Sequence, residues 1–139
     1  MKTSIKPLVV KFQGKKITID LEKELAINKN TLQSQLLDSP SSYYIFLALK
    51  DKAIKERDDL EREKDAAYSN AWVFYKNSNE RWSNDYVSHK ANTNPKYQSL
   101  YDRYLKASEK ANKYISICKA YEARQDILRS LNANMRKQL

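Results

Sequence analysis

A row of basic side chains in the last third of the sequence has the spacing of a binding surface. Lys106, Lys110 and Lys113 stand four and three positions apart, and Arg103 precedes them by three positions. These intervals place all four side chains on one side of a helix. Lysine and arginine in such a row neutralise phosphates without reading base sequence. The row indicates contact with a nucleic-acid backbone; the alternative is a solvated helix face that only keeps the chain soluble.

Positive charge is also concentrated in particular parts of the chain. The formal net charge is +9. Residues 1–19 carry five lysines and no acid, residues 20–95 carry 11 bases and 13 acids, and residues 96–139 carry 10 bases and four acids, so the parts contribute +5, −2 and +6. Basic ends around a slightly acidic middle favour a polyanionic partner. Arg124, in the basic C-terminal part, joins the candidate DNA contacts.

Aromatic residues accompany these cations, and most of them are tyrosines. An aromatic face can stack on any exposed base, whatever the sequence. The alternative is that they form the core, which is what we expect for Tyr104, Tyr114 and Tyr121. The remaining candidates for stacking are Tyr97 and Tyr101 on the last helix and, before it, Trp72, Tyr75, Trp82 and Tyr86.

Residues able to carry catalysis or hold a metal are sparse. His89 is the only histidine and Cys118 the only cysteine, and no second ligand at zinc spacing accompanies either. The sequence therefore predicts no enzyme, no cofactor and no metal. A lone cysteine fits a reducing compartment. The sequence also has no signal-peptide pattern and no apolar run of membrane-spanning length. Together these features predict a cytoplasmic protein.

The breaker residues set the expected elements. With Gly 1 and Pro 3 in 139 residues, most of the chain should be helical. A short helix is predicted over residues 30–38, with Asn30 as its N-cap. Long helices are predicted over residues 40–91, starting at Ser39-Pro40, and over residues 95–136, because the residue before a proline disfavours helix.

The N-terminal segment is the only part that reads as β-structure. Apolar and polar residues alternate in "KITIDL" after Gly14, and glycine supplies the positive φ of a tight turn. Residues 1–22 are predicted to form a small β-hairpin, with a flexible arm as the alternative. Together these elements predict one mainly α domain over residues 1–139: a long antiparallel helical hairpin that assembles into oligomers, because its apolar stripes are too long for one hairpin to bury.

Beyond these patterns, most of the sequence resembles the phage UvsY-like recombination mediators. The resemblance begins at "IDLEKELAINKNTLQSQLLDSPSSYYIFLAL", continues through the charged helix and ends in the "NPKY" helix, where Ala120, Arg124 and Leu128 stand four residues apart. The opening "KPLVVKFQGKKI" departs from the family pattern.

The resemblance implies a non-enzymatic mediator that binds single-stranded DNA without sequence preference. It also implies ring-like homo-oligomers, and as partners a RecA-type recombinase and the single-strand-binding protein that the recombinase displaces. If the chain is phage-encoded, its compartment is the bacterial host cytoplasm. A Lys-x-Arg pair tied to DNA binding in the family matches Lys55 and Arg57 by spacing. The alternative function is a helical oligomerisation or scaffold protein with no nucleic-acid role.

The length of the apolar stripes yields a prediction about assembly. We expect a homo-oligomer larger than a dimer, because burying the remaining stripe requires further copies of the chain. Light scattering at micromolar concentration checks this, and a particle with the monomer mass of 16.3 kDa would contradict it.

Overall fold

The protein is mainly helical, with a two-stranded antiparallel sheet at its N-terminal end, as the sequence predicts. The computed structural model describes residues 6–26 and 32–137. The elements in chain order are β1 (Leu8–Phe12), β2 (Lys15–Ile19), α1 (Leu21–Leu25), α2 (Leu32–Ser78), α3 (Asn84–Asn92) and α4 (Pro95–Lys137). None of the helices in this part of the chain is apolar over enough residues to span a membrane.

The predicted hairpin is confirmed. Strands β1 and β2 pair from Leu8↔Ile19 to Phe12↔Lys15, and the connecting residues Gln13 and Gly14 have φ of 51° and 76°. Positive φ at both positions is the geometry of a two-residue turn that matches strand twist. The inner face is covered within the chain, because Val10 is 3% exposed and Ile19 is 5% exposed. The structure thus favours a docked hairpin over a flexible arm.

Helix α2 begins earlier than the predicted long helix. It includes Ser39 and Pro40, where the sequence predicts a boundary between a helix over residues 30–38 and another from residue 40. A proline disfavours the helix at the residue before it, but local backbone preference is regularly overridden by tertiary context. Asn30, predicted as the N-cap of the short helix, lies outside the described residues.

The same helix ends earlier than predicted. It stops at Ser78 instead of residue 91, and a separate helix, α3, follows after residues 79–83. Ser83 is the N-cap of α3, and its hydroxyl accepts a hydrogen bond from the Tyr86 backbone N–H at 3.2 Å. An Asn/Ser-rich break can end a helix without glycine or proline, because these side chains satisfy backbone groups themselves. Helix α4 begins at Pro95, after Asn94, whose side-chain oxygen accepts from the Tyr97 N–H.

The described chain forms two compact units. The first contains the hairpin, α1 and the adjoining parts of α2 and α4, outside residues 51–113. Its core is aromatic: Phe46 and Tyr121 are fully buried, with ring centroids 5.6 Å apart. Beside them, the Tyr43 hydroxyl donates to Glu122 Oε1 at 2.7 Å, and this bond raises the pKa of Tyr43 to about 12.

The two long helices run antiparallel in this unit. Tyr43 contacts Glu122 whereas Phe46, later on α2, contacts Tyr114, earlier on α4.

The second unit, Asp51–Lys113, has a core of small side chains. Its helices are also antiparallel, since Glu56 lies near Lys110 while Tyr68 lies near Tyr97. Three buried residues on α2 stand seven positions apart, and one further buried residue on α2 and the buried pair on α4 follow an interval of four, which are spacings of a coiled-coil seam. The buried seam residues of this unit are Ala53, Leu60, Ala67 and Ala71 on α2 and Ala107 and Ala111 on α4.

The aromatic core yields a stability prediction. Phe46→Ala should lower the free energy of unfolding by about 3–5 kcal/mol, because it removes a fully buried ring. The matched control is Tyr44→Ala, two positions away, where the ring is 68% exposed and the loss should stay below about 0.5 kcal/mol. Chemical denaturation followed by circular dichroism measures both. Equal losses in the two variants would contradict the placement of this core.

Candidate nucleic-acid interface

An open groove between α2 and α4 in the second unit collects several of the predicted basic residues. It has a volume of about 600 Å³, and its lining is Lys52, Lys55, Glu56, Asp59, Leu60, Glu63, Arg103 and Lys110. A second depression of about 530 Å³ shares Glu63 and Arg103 with it and adds Lys96 and the polar residues Asn70 and Ser99. Because they share two side chains, the two form one surface, which we call the basic groove.

Helix geometry explains why these cations share one side of α4. Lys96, Arg103 and Lys110 stand seven positions apart, close to two full turns. Their spacing of seven equals that of the buried seam residues on α2, and the three cations form a row beside the seam. The seam residue beside them, Ala107, is too short to cover the neighbouring helix, so long charged side chains border the seam directly.

The basic groove carries mixed charge with a positive excess. Five bases and three acids line it, for a net charge of +2: Lys52, Lys55, Lys96, Arg103 and Lys110 against Glu56, Asp59 and Glu63. Lys110 Nζ lies 3.9 Å from Glu56 Oε2, and both side chains are about half exposed. A long, solvated pair of this kind contributes little to stability. The ammonium of Lys110 can therefore exchange this carboxylate for a phosphate at small cost.

Lys106 and Lys113 lie beside the groove rather than in it. Both are exposed. At about 100° per residue, each lies roughly 60° further round α4 than Arg103 or Lys110, away from α2. The predicted row of four cations therefore divides into two that line the groove and two on its outer rim. Their contact with DNA stays a prediction.

The structure separates the two members of the Lys-x-Arg pair. Lys55 is exposed and lines the groove, but residues two apart do not share a helix face. The guanidinium of Arg57 binds its neighbour instead, with Nη2 and Nε each 3.0 Å from Asp58 Oδ1. Its side chain is 28% exposed. Lys55 alone of this pair joins the basic groove.

Arg124 is not part of an exposed surface. It is 6% exposed and belongs to the first unit, where Nη2 donates to the backbone carbonyl of Ala26 at 3.5 Å. It stands three and four positions from Tyr121 and Leu128, which are both fully buried. The sequence placed it with the DNA contacts by charge alone. Its position on the buried stripe gives it a structural role, and we remove it from the candidate interface.

The tyrosines of α4 are engaged within the chain. The Tyr97 ring lies 5.4 Å from the Tyr68 ring on α2. Lys64 Nζ lies 5.7 Å from the Tyr101 ring centroid and 5.2 Å from that of Tyr104. A hydrogen bond to Asp65 is the main cause of the raised pKa of Lys64, so this cation remains charged beneath the rings. Such cation–π contacts stabilise the unit. Tyr101 is still 41% exposed, and base stacking on Tyr97 and Tyr101 stays a prediction.

Two of the five groove cations, Lys52 and Lys96, are not among the contacts that the sequence predicts. Lys52 belongs to a stretch of α2, residues 50–65, that is rich in both acids and bases. Lys96 lies in the first turn of α4, ahead of the recognised basic row. The interval of seven residues from Lys96 to Arg103 and Lys110 is visible in the sequence, and it was the signal that could have found Lys96.

No cluster of three or more histidine, cysteine or acidic side chains suited to a metal occurs among residues 6–26 and 32–137. Cys118 is buried at 2% exposure in the first unit, and His89 is exposed on α3. The arrangement of the basic groove is suited to holding an extended anion by charge.

Comparison with known structures identifies the fold. A crystal structure of the bacteriophage T4 recombination mediator protein UvsY superimposes with a TM-score of 0.68 at 14% sequence identity, over 86% of this chain and 93% of that chain. No protein-family model and no curated protein sequence matches. At this identity the likeness establishes that the chain has the fold of UvsY.

Proposed function

We propose that this protein binds single-stranded DNA without sequence preference in the basic groove. The observation that carries the proposal is the meeting of Lys55 from α2 with Arg103 and Lys110 from α4 along one open surface. From Lys96 to Lys110 the cations extend over about 21 Å of helix, at 1.5 Å per residue. That length accommodates several phosphates at the roughly 3.4 Å per nucleotide of a strand in duplex DNA. The groove offers charge without base-reading geometry, which favours binding to any sequence.

We further propose that the protein is a non-enzymatic recombination mediator. It would hold single-stranded DNA while a RecA-type recombinase replaces the single-strand-binding protein. The shared fold with a recombination mediator protein supports this role. The three acids of the groove fit it, since they weaken each contact and so ease release of the strand. A ring-like homo-oligomer would compensate, because several weak sites on one strand bind with a combined affinity far above each alone.

Removing one groove cation should weaken DNA binding in a characteristic way. Lys110→Ala should lower the affinity for a labelled oligonucleotide equally for all base sequences. It should also flatten the log–log salt dependence by about 0.7 for the lost phosphate contact. Fluorescence anisotropy at several salt concentrations measures both quantities. The helix content should not change, because Lys110 is exposed.

The matched control is Lys119→Ala, which removes an exposed lysine from the same helix outside the groove. Its affinity and salt slope should stay near those of the unaltered protein. Equal losses in both variants would mean that net charge, not the groove, attracts DNA. No binding by the unaltered protein would favour the scaffold function instead.

Removing a groove acid should have the opposite effect. Glu56→Gln should raise the affinity for single strands, because it frees Lys110 from its only described carboxylate partner and adds one positive charge to the net charge of the groove. Glu109→Gln makes the same change in net charge at an exposed position that does not line the groove. A gain as large for Glu109→Gln as for Glu56→Gln would contradict a local role of the groove.

The mediator role has a separate test. The unaltered protein should speed assembly of a RecA-type recombinase on DNA coated with single-strand-binding protein, and Lys110→Ala should do so less well. A protein that binds DNA normally yet has no effect on assembly would refute the mediator role while leaving DNA binding intact.

A further inference from the structure

An aromatic pair with a lysine projects from the connection between α2 and α3. Trp82 precedes α3, Tyr86 lies in its first turn and Lys90 in its last turn. Tyr86 and Lys90 stand four positions apart and therefore share a helix face, and Trp82 lies beside both. We call these three side chains the elbow platform.

The three groups are in mutual contact. The rings of Trp82 and Tyr86 meet edge to face, with centroids 4.8 Å apart and an interplanar angle of 78°. Lys90 Nζ lies 5.9 Å from the Trp82 centroid and 6.0 Å from that of Tyr86. Tyr86 is 43% exposed, and Trp82 is half-buried. An edge-to-face pair uses the face of only one of its rings, so aromatic surface remains open to solvent beside a cation.

Other contacts hold α3 in place. Val87 and Ala91, on the adjacent stripe of the helix, are fully buried. Trp72 Nε1 donates to Ser88 Oγ at 3.2 Å, and Lys76 Nζ donates to the backbone carbonyl of Trp82 at 2.8 Å. These bonds use the main chain of Trp82 and leave its indole out. The exposed ring of Tyr86 is thus not required to dock the helix.

The charge around the elbow platform nearly cancels. Between residues 76 and 90 there are three lysine or arginine side chains and two acids, for a net charge of +1. In the basic groove the bases exceed the acids by two, and open aromatic surface is not part of its lining. The second unit therefore presents charge at one place and aromatic faces at another. A single strand of nucleic acid can contact both, because its phosphates pair with cations and its unpaired bases stack on aromatic rings.

We propose that a nucleobase of single-stranded DNA stacks on the elbow platform, with Tyr86 and Trp82 supplying the ring surface and Lys90 the adjacent positive charge. This rests on the proposed function, and it names a second kind of contact for the same ligand. Every base has an aromatic face, so the platform adds affinity without sequence preference. It requires an unpaired base and therefore discriminates single strands from duplex.

The test compares a ligand that has bases with one that lacks them. Tyr86→Ala should weaken binding of an oligothymidylate at least about five-fold, the lower range for loss of one base stack. Binding of an abasic oligonucleotide of equal length should not change, and the salt slope should be unaltered for both ligands. Tyr86→Phe retains the ring and should restore affinity for oligothymidylate. Tyr44→Ala, which removes an exposed ring from the first unit, is the control and should bind both ligands normally.

The indole of Trp82 offers an independent measurement, because the chain has only two tryptophans. In Trp72→Phe all tryptophan fluorescence comes from Trp82, and oligothymidylate should quench it more strongly than the abasic ligand does. In Trp82→Phe the remaining Trp72, half-buried and hydrogen-bonded to Ser88, should be quenched little by either.

The outcomes separate this inference from the proposed function. If Tyr86→Ala binds both ligands normally, or loses both equally, the stacking platform is refuted. If Lys110→Ala still weakens binding in that case, the basic groove remains. If the unaltered protein binds neither ligand, the platform and the proposed function fail together.

Discussion

The second unit depends on the close approach of two helices across small side chains. Alanine occupies most of its buried seam positions, and Ala53, Leu60 and Ala67 on α2 stand seven positions apart. Short side chains let helix axes approach toward the lower end of the usual range, about 8 Å. The longer residues on either side cannot enter such a seam, so they stand along its edges. The basic groove is thus a direct consequence of the seam, because its charged walls are the residues that flank the alanines.

The charged residues that flank the seam lie close to residues of opposite charge, but their ion pairs are weak. The ion pair across the groove is long and half exposed, and the described salt bridges on α2 join neighbours one or three positions apart. Exposed pairs contribute little to stability. The fold is therefore held by burial, by the aromatic core around Phe46 in one unit and the alanine seam in the other. Lys64 and Arg57 are held within the unit, at 13% and 28% exposure, whereas the half-exposed Lys110 of the groove remains available to a ligand.

The sequence predicted the elements whose signals are local. Gly14 identified the hairpin because a tight turn needs positive φ, and the scarcity of glycine and proline identified the long helices. It misplaced boundaries that depend on context: Pro40 lies inside α2, and an Asn/Ser-rich segment ends that helix at Ser78.

The candidate site shows the same division. Spacing along α4 was enough to group Arg103 with Lys110, since both lie on one helix. Which cations of α2 face them depends on how the two helices are rotated against each other, and a single helix pattern does not determine that rotation. The resemblance to the mediator family paired Lys55 with Arg57 by spacing, whereas the structure brings Lys55 together with Arg103 and Lys110. Arg124 is basic, but it stands three and four residues from the buried Tyr121 and Leu128. This spacing places it on the buried stripe of α4 rather than on an exposed face.

Photo-cross-linking would show whether single-stranded DNA lies along the second unit, as we propose. An oligonucleotide carrying photoreactive thymidine analogues would be irradiated in complex with the unaltered protein, and the attached peptides identified by mass spectrometry. If DNA lies along the second unit, attachment should fall within residues 52–63 and 96–110, with further attachment near Trp82 and Tyr86. Attachment confined to the lysines of the hairpin, or to the basic end of α4 beyond residue 118, would contradict it.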